Sequence, residues 1–169
     1  ISYLEKTLKI RKDLNHLSGK AVTLKYIGDV YFEKENYTKA KNNYFEALKI
    51  SKKIKSDFDL MSDIQNKIAL TYLNTGRLDL AEEHAFQSLY LADKVGTKLR
   101  IKEANYTISL IASRKGNFQE ALIYYRLSTI YKDSLFNELK AKQIAELQTK
   151  YESEQRQKER TNDESNHPH

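Results

Sequence analysis

An all-α fold of stacked helical pairs is what this sequence predicts, on three observations. Breakers are scarce: 169 residues hold five glycines and one proline, Pro168, in the tail. Apolar residues recur at three and four, as in Leu24, Ile27, Tyr31 and in Ala104, Ile108, Ile111, and alternating runs of the kind a strand needs are few. The third observation is a repeat. Asn36-Tyr37, Arg77-Leu78 and Asn117-Phe118 each sit between two helical runs, and an alanine follows three residues later, at Ala40, Ala81 and Ala121. An apolar pair spaced by two comes next, at Leu48 and Ile50, at Leu89 and Leu91, and more weakly at Thr129 and Tyr131. Leu8 and Ile10 stand one period earlier, so the steps are 40, 41 and 40 residues. A fixed period of this size marks a helical repeat array, in which one unit cannot bury its own faces and stacking supplies the core.

Each repeat reads as helix A, a short turn and helix B. Residues 1–15 are a lone helix B. Helices are expected over 18–34 and 37–55, over 58–75 and 78–95, then over 98–115 and from 118 onward. Turns between repeats fall near Gly19, Ser56-Asp57 and Gly96; turns inside repeats hold Gly76 and Gly116, with Glu35 in the same place in the first. A glycine there lets the chain leave a helix through the left-handed region at little cost. Gly28 differs, because it sits inside a helix, where glycine costs about 1 kcal/mol against alanine. Close approach of a neighbouring helix is the expected compensation. The domain plan is therefore a partial repeat over 1–17, repeats over about 18–56, 57–96 and 97–133, a charged C-terminal helix over 134–160 and a disordered tail over 161–169. Whether helix B of the last repeat runs unbroken into the C-terminal helix is open, since Asp133 or Ser134 could cap a fresh one.

Composition narrows the function classes. With no cysteine, disulfides, thiolate metal sites and cysteine nucleophiles are excluded. No run of about 18 apolar residues is present, so no membrane insertion by this segment is expected. No charged leader with an apolar stretch precedes the first helix pattern, and the chain, which begins at Ile1, reads as a fragment or processed form. The compartment stays open between cytoplasmic and extracytoplasmic. Formal net charge is +6, unevenly placed: residues 1–56 hold 13 basic against 6 acidic groups, and the rest hold 16 against 17. A basic half could attract nucleic acid or an acidic partner. A solvated lysine-rich helix face is the favoured explanation, and nucleic acid is the least favoured partner.

Catalysis finds no support in the motifs. His16 and His84 are isolated, and His167 and His169 lie in the polar tail, so no pair has the spacing of a metal site on one helix. A phosphate-cradling glycine loop and a serine nucleophile elbow are both missing. No enzyme activity, cofactor or metal is expected.

The repeat residues resemble the tetratricopeptide repeat. The first full repeat carries Leu24, Ile27-Gly28, Tyr31, Tyr37, Ala40, Tyr44 and Ala47. The second keeps Ile68-Ala69, Tyr72, Gly76, Leu78, Ala81 and Ala85, and the third Ile108, Gly116, Phe118, Ala121 and Tyr125, with Ser109 and Ala112 replacing the glycine and tyrosine. The resemblance covers residues 1–133. Its period exceeds the usual length of about 34, as in the long-repeat signalling members of the family. It implies a right-handed α-α superhelix, an interaction module for a protein or peptide, and an inner surface lined by the A helices. Carried over position by position, that surface holds Val22, Lys25, Asp29 and Phe32; then Asp63, Asn66, Leu70 and Leu73; then Glu103, Tyr106, Leu110 and Ser113. Phe32, Leu70, Leu73, Tyr106 and Leu110 would form an exposed apolar strip, suited to a peptide or helix unless a neighbouring helix covers it. Some family members clamp acidic chaperone C-termini. Of the matching positions only Lys25 agrees, while Asp29, Lys67, Glu103 and Thr107 do not, and two acids would repel the ligand carboxylate.

The segment from Asp133-Ser134-Leu135-Phe136 into 142–152 is similar to the helix that follows such repeats in bacterial sensor histidine kinases and related regulators. In it Ile144, Leu147 and Tyr151 form a short helix-pairing seam, enough for a weak homodimer or for packing on the last repeat. The reading is the sensory or interaction region of a bacterial signalling protein, with a free-standing assembly scaffold as the alternative.

Overall fold

The computed structural model describes residues 3–4, 6–7, 17–54 and 57–166, with side chains to residue 158. From Leu17 on, six helices follow one another among the described residues: α1 Leu17–Glu33, α2 Tyr37–Lys53, α3 Phe58–Asn74, α4 Leu78–Val95, α5 Lys98–Arg114 and α6 Phe118–Asn166. No strand occurs among the described residues. The chain divides into two compact units, Ile1–Tyr131 and Lys132–His169, and α6 runs through the division. Leu8, Ile10 and His16 of the expected N-terminal helix lie outside the described residues, as do His167, Pro168 and His169.

The first unit is an all-α helical-repeat solenoid. Its helices end where the turn chemistry says they should. Asn36 caps α2, its side chain accepting from the Lys39 N–H at 3.2 Å, and Asp57 caps α3, accepting from Asp59 and Leu60. The equivalent residues Gly76 and Gly116 leave α3 and α5 at φ 74° and 83°. Glu35 makes the same turn at φ 57° with a Cβ attached, a conformation that disfavours every residue but glycine. The turn expected near Gly19 does not include that residue. α1 begins two residues before it, and Gly19 lies in the first turn, where its carbonyl accepts the Thr23 hydroxyl at 2.9 Å.

Two core clusters hold the pairs together. The first joins Ala21 and Leu24 of α1, Ala40, Tyr44, Ala47, Leu48 and Ile50 of α2, and Ile64 and Ile68 of α3. The second joins Ala69 and Leu73 of α3, Ala81 and Ala85 of α4, and Ile108 and Ile111 of α5. Small residues set the spacing. A Cβ on Gly28 would sit 2.5 Å from Cε1 of Tyr44, whose ring is fully buried, so only hydrogen fits. Ser62 and Ser88 let α3 and α4 close in, each hydroxyl donating to the other's carbonyl at 2.9 and 2.8 Å.

The second unit holds the rest of α6. Continuity of the last helix B with the C-terminal helix was open, and a disordered tail was expected from 161; α6 runs unbroken from Phe118 to Asn166. Between Phe118 and Asn166 there is no glycine or proline, so nothing removes a backbone donor or favours an exit from the helix. No helix among the described residues is long and apolar enough to cross a membrane.

Candidate functional site

The A helices α1, α3 and α5 share one face, and that face is ionic. On α1, Lys25 Nζ lies 3.0 Å from Asp29 Oδ2, one turn along, and 3.1 Å from Asp63 Oδ2 on α3. Lys67 of α3 reaches back to Asp29 at 3.6 Å. From α5, Arg100 contacts Asp59 at 3.3 Å, Asp63 at 3.2 Å and Glu103 at 2.8 Å. Asp63 is buried, and a buried carboxylate is tolerable only when paired; here a cation stands on each side. Burial alone pushes the Lys25 ammonium pKa down, but Asp63 and Asp29 outweigh it and raise it. The network is tied to the core through Tyr44, whose hydroxyl donates to Asp29 Oδ1 at 2.8 Å. Burial first, then the Asp29 charge, holds that phenol well above its ordinary pKa.

Between these helices is a cavity of about 400 Å³ lined by Lys25, Asp63, Asn66, Lys67, Leu70, Arg100, Glu103, Tyr106 and Thr107. Of the expected inner-surface residues, Lys25, Asp63, Asn66, Leu70, Glu103 and Tyr106 line this cavity. Asp29 stands behind them, holding Lys25 and Lys67. Val22, Phe32, Leu73, Leu110 and Ser113 do not line the cavity. Leu73 is buried in the second core cluster, with Leu70 and Leu110 half-buried against it. Phe32 is half-buried against the first cluster and meets Tyr37 edge-on, ring centroids 5.5 Å apart. The exposed apolar strip expected from Phe32, Leu70, Leu73, Tyr106 and Leu110 therefore does not form. Only Tyr106 of the five is exposed, at 47%; the three leucines pack with the second core cluster of α3, α4 and α5.

The inner-surface pattern omits Lys67, Arg100 and Thr107, of which Lys67 and Thr107 enter only as departures from the chaperone-clamp positions. Lys67 was visible in principle, one turn after Asp63 on the same face, and Arg100 stands three residues before Glu103. Asn66 adds a feature no sequence shows: its Oδ1 is buried without a partner, on a side chain only 6% exposed. A buried acceptor left unpaired costs about 1–3 kcal/mol.

His84, on α4, is a packing residue. Its ring stacks on Tyr72 with centroids 5.5 Å apart, meets Phe45 edge-on at 5.6 Å, and Nδ1–H donates to Gln65 Oε1 at 2.6 Å. Burial pushes its pKa below the usual value. In the second unit, Ile144, Leu147 and Tyr151 lie on one stripe of the helix and are all more than half exposed.

Two stretches, residues 27–54 and 102–129, match the family described as Tetratricopeptide repeat. Together these matches cover about a third of the chain and support a tetratricopeptide-type repeat. The matched stretches take in the end of α1 with α2, and most of α5 with the start of α6. Among solved structures, BtubC (BKLC) from P. vanneervenii is similar with a TM-score of 0.69 at 19% identity, over 81% of this chain and 57% of that one. The apo form of RapI is similar with a TM-score of 0.52 at 20% identity, over 79% of this chain and 61% of that one. The chain thus spans less than two thirds of either. At such identity the likeness shows the fold, a helical-repeat solenoid. No curated protein matches the chain. The two tetratricopeptide matches support a protein-interaction repeat module, and the ionic cavity lies on the face formed by the A helices.

Proposed function

We propose that the A-helix face of this repeat module binds a protein or peptide segment at the cavity between α1, α3 and α5, and that the module serves a bacterial signal-transduction protein as its sensory or interaction region. One observation carries the binding part. Three separate helices deliver charged groups, an unpaired amide oxygen and an exposed tyrosine to one cavity of about 400 Å³. Polar groups that converge on a cavity are what orient a ligand. The test is selection of peptides from a random display library on the full chain, followed by titration of the winners against Tyr106→Ala and Glu103→Lys. Affinity should fall at least about tenfold, which is 1.4 kcal/mol. Equal affinity for the parent and both variants would place binding elsewhere.

The signalling part rests on the second unit. The resemblance of residues 142–152 to the helix that follows such repeats in sensor kinases supports a coupling role, through the stripe of Ile144, Leu147 and Tyr151. Light scattering of the full chain tests it. A dimer that Leu147→Glu converts to monomer supports coupling through this helix. A monomer at all concentrations favours the free-standing scaffold.

A further inference from the structure

On the A-helix face each cation of the cavity is already answered by a carboxylate. A smaller cavity, of about 220 Å³, is built on other terms, between α2 and the turn that joins α3 to α4. Lys41 and Arg77 line it, and no carboxylate among the described residues does. Neither cation has an ion pair among the described residues; Lys41 has only the Tyr72 ring, its Nζ 5.6 Å from the centroid. Tyr37, Thr38 and Tyr72 bring hydroxyls that make no hydrogen bond among the described residues. The Thr71 and Thr75 hydroxyls donate to backbone carbonyls at 2.8 and 2.9 Å and offer no further donor. Arg77 also stands at the start of α4, where its counterpart Asn36 caps α2, and its side chain makes no cap bond. The cap position therefore offers the first N–H groups of α4 no side-chain acceptor, and the positive end of that helix adds to the two cations. Asp79, the acid in that first turn, lies outside the cavity wall and is held by Lys115 at 2.9 Å.

We propose that this second cavity receives the phosphoryl group of a phosphorylated serine or threonine on a protein partner. Its volume lies below the roughly 300–1,000 Å³ of pockets that take a whole small molecule, so it suits one group carried on something larger. Two cations balance a dianion. A phosphate monoester carries about −1.5 to −2 near pH 7 and three strong acceptor oxygens. A carboxylate brings one charge and two oxygens, and would leave one of the cations unanswered. The three free hydroxyls and the guanidinium of Arg77 are the donors a phosphoryl group needs. Charge at longer range acts in the same direction: α2 holds five lysines against one glutamate, and the formal net charge is +6. A protein is the carrier because the tetratricopeptide matches support an interaction module. The site is separate from the A-helix cavity, and shares no lining residue with it.

The test uses the full chain and three short fluorescent glycine-rich peptides, with a phosphoserine, a glutamate or a serine at the centre. Anisotropy titrations are run at 0.15 M salt, roughly an 8 Å screening length. The phosphoserine peptide should bind at least about fivefold tighter than the other two. Arg77→Gln, at an exposed position that the fold does not need, and Lys41→Gln should each weaken it by at least about threefold. Lys49→Gln removes an exposed cation of α2 outside this cavity, and Tyr106→Ala alters the A-helix cavity; both should leave binding unchanged. A glutamate peptide that binds as tightly, or a loss on Lys49→Gln equal to that on Arg77→Gln, would assign the binding to overall charge and overturn the proposal. Binding by no peptide overturns it as well, without touching the reading of the A-helix face. Inorganic phosphate is the competitor that separates sources. If it binds as tightly as the phosphoserine peptide, the protein carrier is overturned and the phosphoryl site stands.

Discussion

The two units of the chain use the same secondary structure on opposite terms. In the repeat unit, helices exist because neighbours cover them: Ile64, Ile68, Tyr44 and Ile111 have essentially no exposed surface. In the unit from Lys132 onward, Phe136, Leu139, Ile144, Leu147 and Tyr151 are all more than half exposed. Support there is local. The helix has no breaker, and its ion pairs run along its own surface, Lys142–Glu146 at 3.9 Å, Lys150–Glu154 at 4.0 Å and Glu152–Arg156 at 3.2 Å. Each such pair contributes about 0.2–0.5 kcal/mol, so the helix rests on propensity, whereas packing secures the repeats. Substitutions therefore ought to weigh very differently in the two units.

The largest effect belongs to Tyr44. Its ring fills the space beside Gly28 and its hydroxyl holds Asp29, so Tyr44→Ala removes both core volume and an anchor of the ionic face. Urea unfolding should show a loss of about 3–5 kcal/mol. Gly28→Ala attacks the same contact from the other side. The added Cβ would press on a ring with no room to move, and overpacking of this kind costs about 1–3 kcal/mol. A neutral Gly28→Ala would mean that α1 and α2 are less closely apposed at this point.

The Gly28–Tyr44 contact has a clear sequence signal. A mid-helix glycine in a chain with so few needs a reason, and close helix approach supplies it. The helix pairs are equally legible, since apolar spacing and turn residues repeat with one period. The inner surface is only half legible. Lys25, Asp63, Asn66, Leu70, Glu103 and Tyr106 meet at the cavity, but Leu73 and Leu110 sit where the inner face turns into the core. One residue along a helix rotates a side chain by about 100°, enough to move a leucine from groove to interior. Arg100 escapes sequence reading for another reason: its bond to Asp59 joins residues 41 apart, and no local pattern announces such a partner.

A third prediction turns on pH. Burial, with a smaller contribution from the Lys52 charge, lowers the His84 pKa, while the Glu83 charge acts the other way. The unfolded chain therefore takes up a proton at higher pH than the folded one. Stability from this residue is complete above the ordinary histidine value of 6.5 and declines as pH falls through it towards the lowered folded value. Melting temperature should drop between pH 7 and pH 5, and His84→Phe should flatten that part of the profile. A profile unchanged by His84→Phe would assign the acid sensitivity to other groups.

The turn at Glu35 offers a smaller gain. Gly76 and Gly116 make the equivalent turns with positive φ, and Glu35 does so with a side chain. Glu35→Gly relieves that conformation but gives the unfolded chain more freedom, so the net gain is a few tenths to about 1 kcal/mol. Thermal denaturation that shows a loss would mean the Glu35 side chain has a stabilising contact that outweighs its backbone.

The smallest expected effect is the one that tests the comparison most directly. Leu147 is 67% exposed in its unit. If that surface faces solvent, Leu147→Ala changes stability by no more than about 0.5 kcal/mol, and alanine, the better helix former, could even raise helicity. The measurement is a melting curve followed by circular dichroism at two protein concentrations about a hundredfold apart. A concentration-independent midpoint, unmoved by the substitution, leaves the helix supported by its own backbone. If the midpoint instead rises with concentration and Leu147→Ala abolishes the rise, the stripe of Ile144, Leu147 and Tyr151 is covered by a second copy. Mass action then ties the stability of the unit to protomer concentration, and both units owe their helices to burial after all, one within the chain and the other between chains.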